Sequence, residues 1–323
     1  MSRVYVITPA VSISGGPELC HQLVDALNTF KPGRASVIYF PWGSLDVPRP
    51  YRRYDARPAV IGDVQPGDVL VVPETYSRLL PSLPDGAQVF YWWMSVNNFH
   101  REAAGGAGWR LADIRRRTVR QLYQSEYARV FCESTGLEPA ARLSDYLSAG
   151  FINAIADPPG GERRNLVAYN PLKGLPRTQL ISDALAKGLR AAPDLIAIKN
   201  LSPGEVRRVF SQVKVYIDFG EHPGKDRLPR EAAACGACVI TNRRGAAGNQ
   251  VDVPIPAEFK INDRKAGFER RVVSRIHQIL DDFDRQQPRF DDYRRMIAAE
   301  PAQFVADAAA VFERCGCDEP VRA

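Results

Sequence analysis

The chain is poor in the side chains on which most metal and redox chemistry depends. Among its 323 residues are four histidines, six cysteines and three methionines. His21, His100 and His277 form no metal-binding spacing, and no H-E-x-x-H occurs. Both common phosphate fingerprints, G-x-G-x-x-G and G-x-x-x-x-G-K-[S/T], are missing, which argues against a Rossmann dinucleotide fingerprint and a P-loop. Neither Ser-His-Asp nor Cys-His chemistry has a local signature. No apolar run approaches the ~18 residues of a membrane span. The opening MSRVYVITPA enters a strand at once, without the apolar core and cleavage site of a signal peptide. A cytoplasmic protein with reduced thiols is expected. A peripheral membrane contact is compatible with all of this.

What is present is ordinary globular composition with a mild basic excess, 43 Lys and Arg against 37 Asp and Glu, net +6. That excess suits a polyphosphate ligand, an anionic surface or nucleic acid and selects none of them. The length favours two domains. Strands expected at 4–8, 35–40, 68–72, 88–93, 121–124 and 141–143 alternate with helices at 17–30, 110–119 and 126–134. Residues 154–165, with paired prolines, paired glycines and charge, are the linker candidate. The second half repeats the scheme. Strands at 166–169, 195–198, 215–217 and 238–240 alternate with helices at 177–189, 203–212 and a short one from 227. Two more helices are expected near 266–285 and 301–314. Ser202 and Glu205 have capping-box spacing. The expected boundaries are 1–153, a linker 154–165, 166–300, and a terminal helix and tail 301–323. Alternation of this kind makes doubly wound, mostly parallel α/β sheets.

The cysteines add little. Cys235 and Cys238 have redox or zinc spacing, but they lie where a helix ends and a strand begins, not at the helix N-terminus that lowers a thiol pKa. They read as small buried residues. Cys315 and Cys317 stand in a terminal tail. Asp281, Asp282 and Asp284 contain a D-x-D spacing but read as charges on an amphipathic helix.

Residues 215–241, VYIDFGEHPGKDRLPREAAACGACVIT, carry the most chemistry. A buried strand leads to a charged glycine turn, a short helix, a Gly stop and a second strand. Asp226 can cap the helix, and Gly236 can end it. Lys225, Arg227 and Arg230 crowd the helix N-terminus, where the macrodipole is already positive. Three cations there repel one another unless an anion joins them. Helix N–H groups with cations at a strand end point to a phosphate site; a solvated basic turn is the bland alternative.

These residues resemble the donor-site signature of GT-B glycosyltransferases. In that pattern a glycine turn leads into a helix bearing Glu-Ala and then Cys-Gly, here Glu231-Ala232 and Cys235-Gly236. The resemblance implies two Rossmann-like doubly wound domains facing a cleft. It implies a ribose contact for Glu231, though an ion pair with Arg227 explains Glu231 as well. Many members carry a sugar-facing Glu eight positions earlier; here that position is Pro223, beside Glu221 and His222. The turn at Asn170, Pro171, Leu172, Lys173 and Gly174 resembles the family's first turn of the second domain, which implies a diphosphate contact for Lys173. Ser14, Gly15 and Gly16 resemble its N-terminal glycine loop, and Asn200-Leu201 falls where the family's backbone holds the nucleobase. The chain is also similar to bacterial sequences labelled as glycosyltransferases that share the NPxKG and HPGxDRxPREA combination.

The aromatic run 91–99 ends in Ser95, Asn97 and Asn98, read as a polar turn that hydrogen-bonds acceptor hydroxyls, with Trp92 and Trp93 in the core. The resulting expectation is a metal-independent glycosyltransferase with no cofactor and a UDP- or GDP-linked sugar as co-substrate. His222, Lys225 and Arg227 are the catalytic candidates. Gly15, Gly16, Asn170, Lys173, Asn200, Leu201 and Glu231 bind donor, and Ser95, Asn97 and Asn98 bind acceptor. The acceptor could be a glycan, a lipid-linked glycan or nucleic acid. The alternatives are a transferase that modifies nucleic acid, a nucleotide-sugar epimerase of the same fold, and a nonenzymatic nucleotide-sugar or nucleic-acid binder. The arginines of 110–120 lend the nucleic-acid readings some support.

Overall fold

The β-branched and aromatic runs form the strands that their composition favours. In the computed structural model, which describes residues 2–104, 111–118, 120–158 and 162–313, they make two parallel sheets. The first contains β1 (Val4–Pro9), β2 (Ala35–Phe40), β3 (Pro58–Ala59), β4 (Val69–Pro73), β5 (Gln88–Trp93), β6 (Arg120–Tyr123) and β7 (Pro139–Arg142). Its order is β3-β2-β1-β4-β5-β6-β7, every pair parallel. The connecting helices include α1 (Gly15–Phe30), α2 (Val96–Ala104), α3 (Leu111–Arg117) and α4 (Glu126–Ser134). Strand order reverses between β1 and β4, the crevice position at which doubly wound sheets take ligands.

The second unit opens with α5 (Ala149–Ala156). It continues with β8 (Arg164–Tyr169), α6 (Leu175–Ala186), β9 (Asp194–Ala197), α7 (Pro203–Gln212) and β10 (Val213–Asp218). Then come α8 (Arg227–Ala234), β11 (Cys238–Thr241), α9 (Phe268–Asp281), α10 (Phe283–Gln286) and α11 (Asp291–Phe312). Its four strands run in the order β11-β10-β8-β9, again all parallel. Here the order reverses between β8 and β10. Each unit has its own core. One is built on Tyr5, Leu70, Tyr91 and Trp93, the other on Val167, Tyr216, Val239 and Phe210.

Compactness divides the described chain at Asp145 and again at Pro301. Residues up to Asp145 join those from Ala302 onward, and Tyr146–Pro301 form the other unit. Helix α5 therefore belongs with the second sheet, although it begins before the expected boundary at 153. Of the linker candidate, residues 154–156 are helical, Arg164 begins β8, and 159–161 lie outside the described residues. The last helix starts at Asp291, ten positions before Pro301, which sits inside it. Pro301 opens no new helix because the preceding turns already fix its backbone, and the missing N–H removes only one bond. Ser202 and Glu205 form the expected capping box, with Ser202 N donating to Glu205 Oε2 at 2.7 Å. Cys315 and Cys317 lie outside the described residues.

Candidate functional site

The turns after β8 and β10 meet at the reversal of strand order in the second unit, and glycines permit the approach. At Gly174, with φ +71°, a Cβ would lie 2.4 Å from the carbonyl of Phe219. A Cβ on Gly220 would lie 2.6 Å from that of Lys173. The Asn170 side chain shapes the first turn by accepting from Leu172 N at 2.9 Å. The loop after β11 closes over the second turn. Asn242 Nδ2 donates to Gly220 O at 2.7 Å, and Ala246 N donates to His222 O at 2.8 Å. Three loops at one sheet edge thus form a single structure.

Inside it lies a chain of charges. Lys173 Nζ is 2.7 Å from Asp226 Oδ1, His222 Nδ1 is 3.0 Å from Asp226 Oδ2, and His222 Nε2 is 3.8 Å from Asp218 Oδ1. Asp218 also accepts from Gly220 N at 3.0 Å and from the Tyr216 hydroxyl at 2.8 Å. Burial works against a charged His222, but Asp218 and Asp226 outweigh it and raise its pKa. Burial likewise opposes ionisation of Asp226, and His222 and Lys173 outweigh it, so its carboxyl is held below the ordinary value. Burial raises Asp218. His222 is 2% exposed. Its ring faces Asp218 and Asp226, which makes it a positioning group for Asp226 rather than a side chain presented to a ligand.

The cations at the start of α8 depart from the sequence expectation. They do not wait for an external anion, because acidic side chains of the protein neutralise them. Glu300, from α11, takes Lys225 Nζ at 2.7 Å and Arg230 Nη1 at 2.8 Å. Arg227 pairs with Glu231 at 3.3 Å, one helical turn away. Arg230 is 1% exposed and also donates to Lys225 O at 2.8 Å, so it braces the turn. Lys225, named as a catalytic candidate, turns its ammonium inward to Glu300. Asp226 stands at the N-cap of α8 without a side-chain cap bond, since its carboxylate serves Lys173 and His222. The helix ends as expected: Gly236, φ +86°, donates to Ala233 O, and Ala237 N donates to Ala232 O.

The structure brings Asn170, Lys173, His222, Lys225, Arg227 and Glu231 to one edge. Glu231 is 7% exposed, far more buried than a surface ion pair. Asn200 and Leu201 follow β9 at the same edge, and Asn200 is the one non-glycine residue with positive φ among those described, at 55°. Sequence reasoning missed Glu300, Asp218 and Asn242. The only signal for the first was two unexplained cations 70 and 75 positions away.

In the first unit, Gly15 and Gly16 begin α1, and Ser14 is fixed by the Tyr51 hydroxyl, which accepts from Ser14 N at 3.0 Å. Ser95, Asn97 and Asn98 are not in a polar turn. Ser95 directly precedes α2, and Asn97 and Asn98 lie in its first turn, where Asn98 N donates to Ser95 O at 3.1 Å. Between these two loops, directly after β4, lies a group the sequence did not reveal. Glu74 is 1% exposed, and its Oε2 accepts from Met94 N at 3.1 Å. Burial pushes its carboxyl up to about 7. Trp92 and Trp93 are core residues, with indole N–H groups bonded to Leu143 O and Gln121 Oε1. Burial pushes the Cys235 and Cys238 thiols up to about 12, as expected of packed, unreactive side chains. In α3, Arg115 and Arg117 donate to backbone carbonyls; Arg110 and Val119 lie outside the described residues.

No known protein-family profile matches the chain, and no curated protein sequence does. Its structure does match solved ones. Anabaena HepE, solved in complex with UDP-glucose, is 12% identical with TM-score 0.67 over 97% of this chain and 100% of that one. Sucrose-phosphate synthase of Thermosynechococcus elongatus is 11% identical with TM-score 0.67 over 97% and 99%. An alpha-glucosyltransferase solved with UDP and a 13-mer DNA containing a HMU base is 9% identical with TM-score 0.61 over 98% and 99%. The fold of this chain is that of the GT-B glycosyltransferases. Among the described residues no helix is long and apolar enough to cross a membrane.

Proposed function

We propose that the chain is a glycosyltransferase whose donor, a nucleoside diphosphate sugar, binds at the carboxyl edge of the second sheet. The observation that carries this reading is the convergence of Lys173, the start of α8 and the buried Glu231 carboxylate at the reversal of strand order. The bound UDP-glucose of one neighbour and the UDP of another support the donor class. Glycosyl transfer breaks the bond from the sugar's anomeric carbon to a phosphate oxygen and joins that carbon to an acceptor oxygen. The leaving diphosphate gains charge while the acceptor hydroxyl loses its proton. Fixed N–H groups of α8 and the Lys173 ammonium stabilise that charge without a metal. His222 acts on the donor through Asp226, and Lys225 and Arg230 act by holding the turn. The first unit presents the acceptor at Ser95, Asn97 and Asn98, near the donor-side loop of Gly15 and Gly16. UDP release should therefore depend on an added acceptor. It should also persist in EDTA; loss restored by magnesium or manganese would overturn the metal-free mechanism.

The sharpest test concerns Glu231. An ionised carboxylate can accept from both hydroxyls of a ribose diol, and charged hydrogen bonds contribute about 1.5–3 kcal/mol. Glu231→Gln should weaken UDP by roughly ten- to a hundred-fold and 2′,3′-dideoxy-UDP far less. The two ligands against the two proteins form a cycle whose coupling isolates the diol contact. Coupling near zero would leave Glu231 as the partner of Arg227 alone.

A further inference from the structure

A second cationic cavity lies in the same unit, lined in part by α9 and the segment after β11, and the donor reading makes no use of it. It has a volume of about 340 Å³ and is lined by Arg243, Lys260, Lys265, Arg271 and Arg275, with Glu258 as the one acid. Glu258 is already paired with Arg289. None of the five cations has a carboxylate within ion-pair distance among the described residues. Their hydrogen bonds go to neutral groups. Arg243 Nε donates to Lys260 O at 2.7 Å, Arg271 Nη1 donates to Ala266 O at 3.1 Å, and Arg275 Nη1 donates to Gln278 Oε1. Lys260 is 4% exposed; its ammonium donates to the carbonyl of Asn249, and the buried Asp252 carboxylate acts on it from beyond ion-pair distance.

Five like charges around one hollow repel one another, and an enclosed ammonium without an ion-pair contact is costly. The contrast within the unit is informative. Around α8, Lys225, Arg227 and Arg230 each have a carboxylate. Around this cavity none of the cations has an ion-pair contact; Glu258 and Asp252 act on Arg275 and Lys260 only at longer range, so two carboxylates face five cations and a positive excess is left for a ligand. Burial pushes the Lys260 ammonium down to about 8, the direction that a bound anion would reverse. Arg271 and Arg275 stand at i and i+4, on one face of α9, and both line the cavity. The volume is at the small end of ligand pockets. It suits a small molecule bearing phosphate better than a polymer.

We propose that this cavity is a second anion site, distinct from the donor edge, that takes a small phosphorylated molecule. Inorganic pyrophosphate and glucose 6-phosphate are the probes, titrated calorimetrically into the full chain. The proteins are the wild type, Arg271→Gln/Arg275→Gln and Lys173→Ala. The cavity predicts that the double variant weakens one pyrophosphate-binding event at least tenfold, leaves UDP affinity unchanged and folds normally, because Arg271 is exposed and Arg275 only half-buried. Lys173→Ala should leave that event intact. If glucose 6-phosphate shows the same loss, the phosphate is recognised on a sugar carrier; if only pyrophosphate does, it is recognised free. Should the double variant misfold, exposed Lys265→Gln carries the same test with a smaller loss. Pyrophosphate titrations that superimpose for wild type and variants would overturn the proposal. So would a 20-base-pair DNA duplex that binds through these arginines while pyrophosphate does not, an outcome that would assign the surface to nucleic acid. The proposal does not depend on the donor reading, because loss of UDP binding in the wild type would leave the pyrophosphate comparison in place.

Discussion

Replacing Glu300 with Gln should destabilise the second unit by about 3–5 kcal/mol, the cost of breaking a buried ion pair by removing one partner. Glu300 is 4% exposed and is the carboxylate for both Lys225 and Arg230, whose side chains are 9% and 1% exposed. Gln keeps the shape and one acceptor oxygen, so no cavity forms. What changes is that two enclosed cations lose their counter-charge together. Arg230 also holds the carbonyls of Lys225 and Asp226, so its displacement would loosen the turn that carries Lys173's partner. Hydrogen exchange of the β8, β10 and β11 amides is the measurement, because all four tryptophans lie at or before position 109 and report only on the first unit. A second variant separates charge from shape. Lys225→Met/Arg230→Met/Glu300→Leu removes all three charges at once and should recover most of the lost stability. If Glu300→Gln exchanges at the wild-type rate, the trio is not an ion-pair centre. If the triple variant is as unstable as the single one, packing rather than charge holds this corner.

The alternating architecture was legible because local signals agreed with it. The β-branched runs of β1, β2, β5 and β10, the Ser202 capping box and the Gly236 stop each follow from neighbouring residues, and the structure has them there. The same residues gave the turns at Asn170 and Gly224. Less legible were elements whose signal is weak or whose cause is distant. Helix α5 has the near-uniformly apolar sequence AGFINAIA, which carries no strong period. Helix α2 was obscured by the asparagines at its start, which read as a turn. The charge balance at α8 was misread for a different reason. Lys225, Arg227 and Arg230 are adjacent in sequence, but the carboxylate that answers two of them lies on α11. A one-dimensional reading sees the repulsion and not its partner. Glu74 was hidden in the same way, since only the sheet order places a lone glutamate between the glycine loop and α2.

Glu74 gives the second large effect, and its sign differs from that of an ordinary salt-bridged carboxylate. Burial raises its pKa from the ordinary 4.5 to about 7. Below pH 4.5 the side chain is protonated in both folded and unfolded chains and contributes nothing to the pH dependence. Between 4.5 and 7 the folded chain keeps a proton that the unfolded chain releases, so stability falls as pH rises across that window. Above 7 the loss is complete. At 1.36 kcal/mol per pKa unit it amounts to about 3 kcal/mol. Glu74→Gln is neutral throughout and should escape it. The amide oxygen can still accept from Met94 N, and Asn98 can turn its own amide to accept from the new NH₂. Urea unfolding followed by tryptophan fluorescence reads the right unit, because Trp92 and Trp93 lie on β5 beside this carboxyl. Variant and wild type should coincide at pH 4.5, and at pH 8 the variant should be the more stable by ~1–3 kcal/mol. A constant difference at both pH values would mean that Glu74 is already ionised in the folded state at low pH, held by the N–H groups at the start of α2. The carboxyl at the reversal point of the first sheet would then be a fixed charge and not a group that titrates near neutrality.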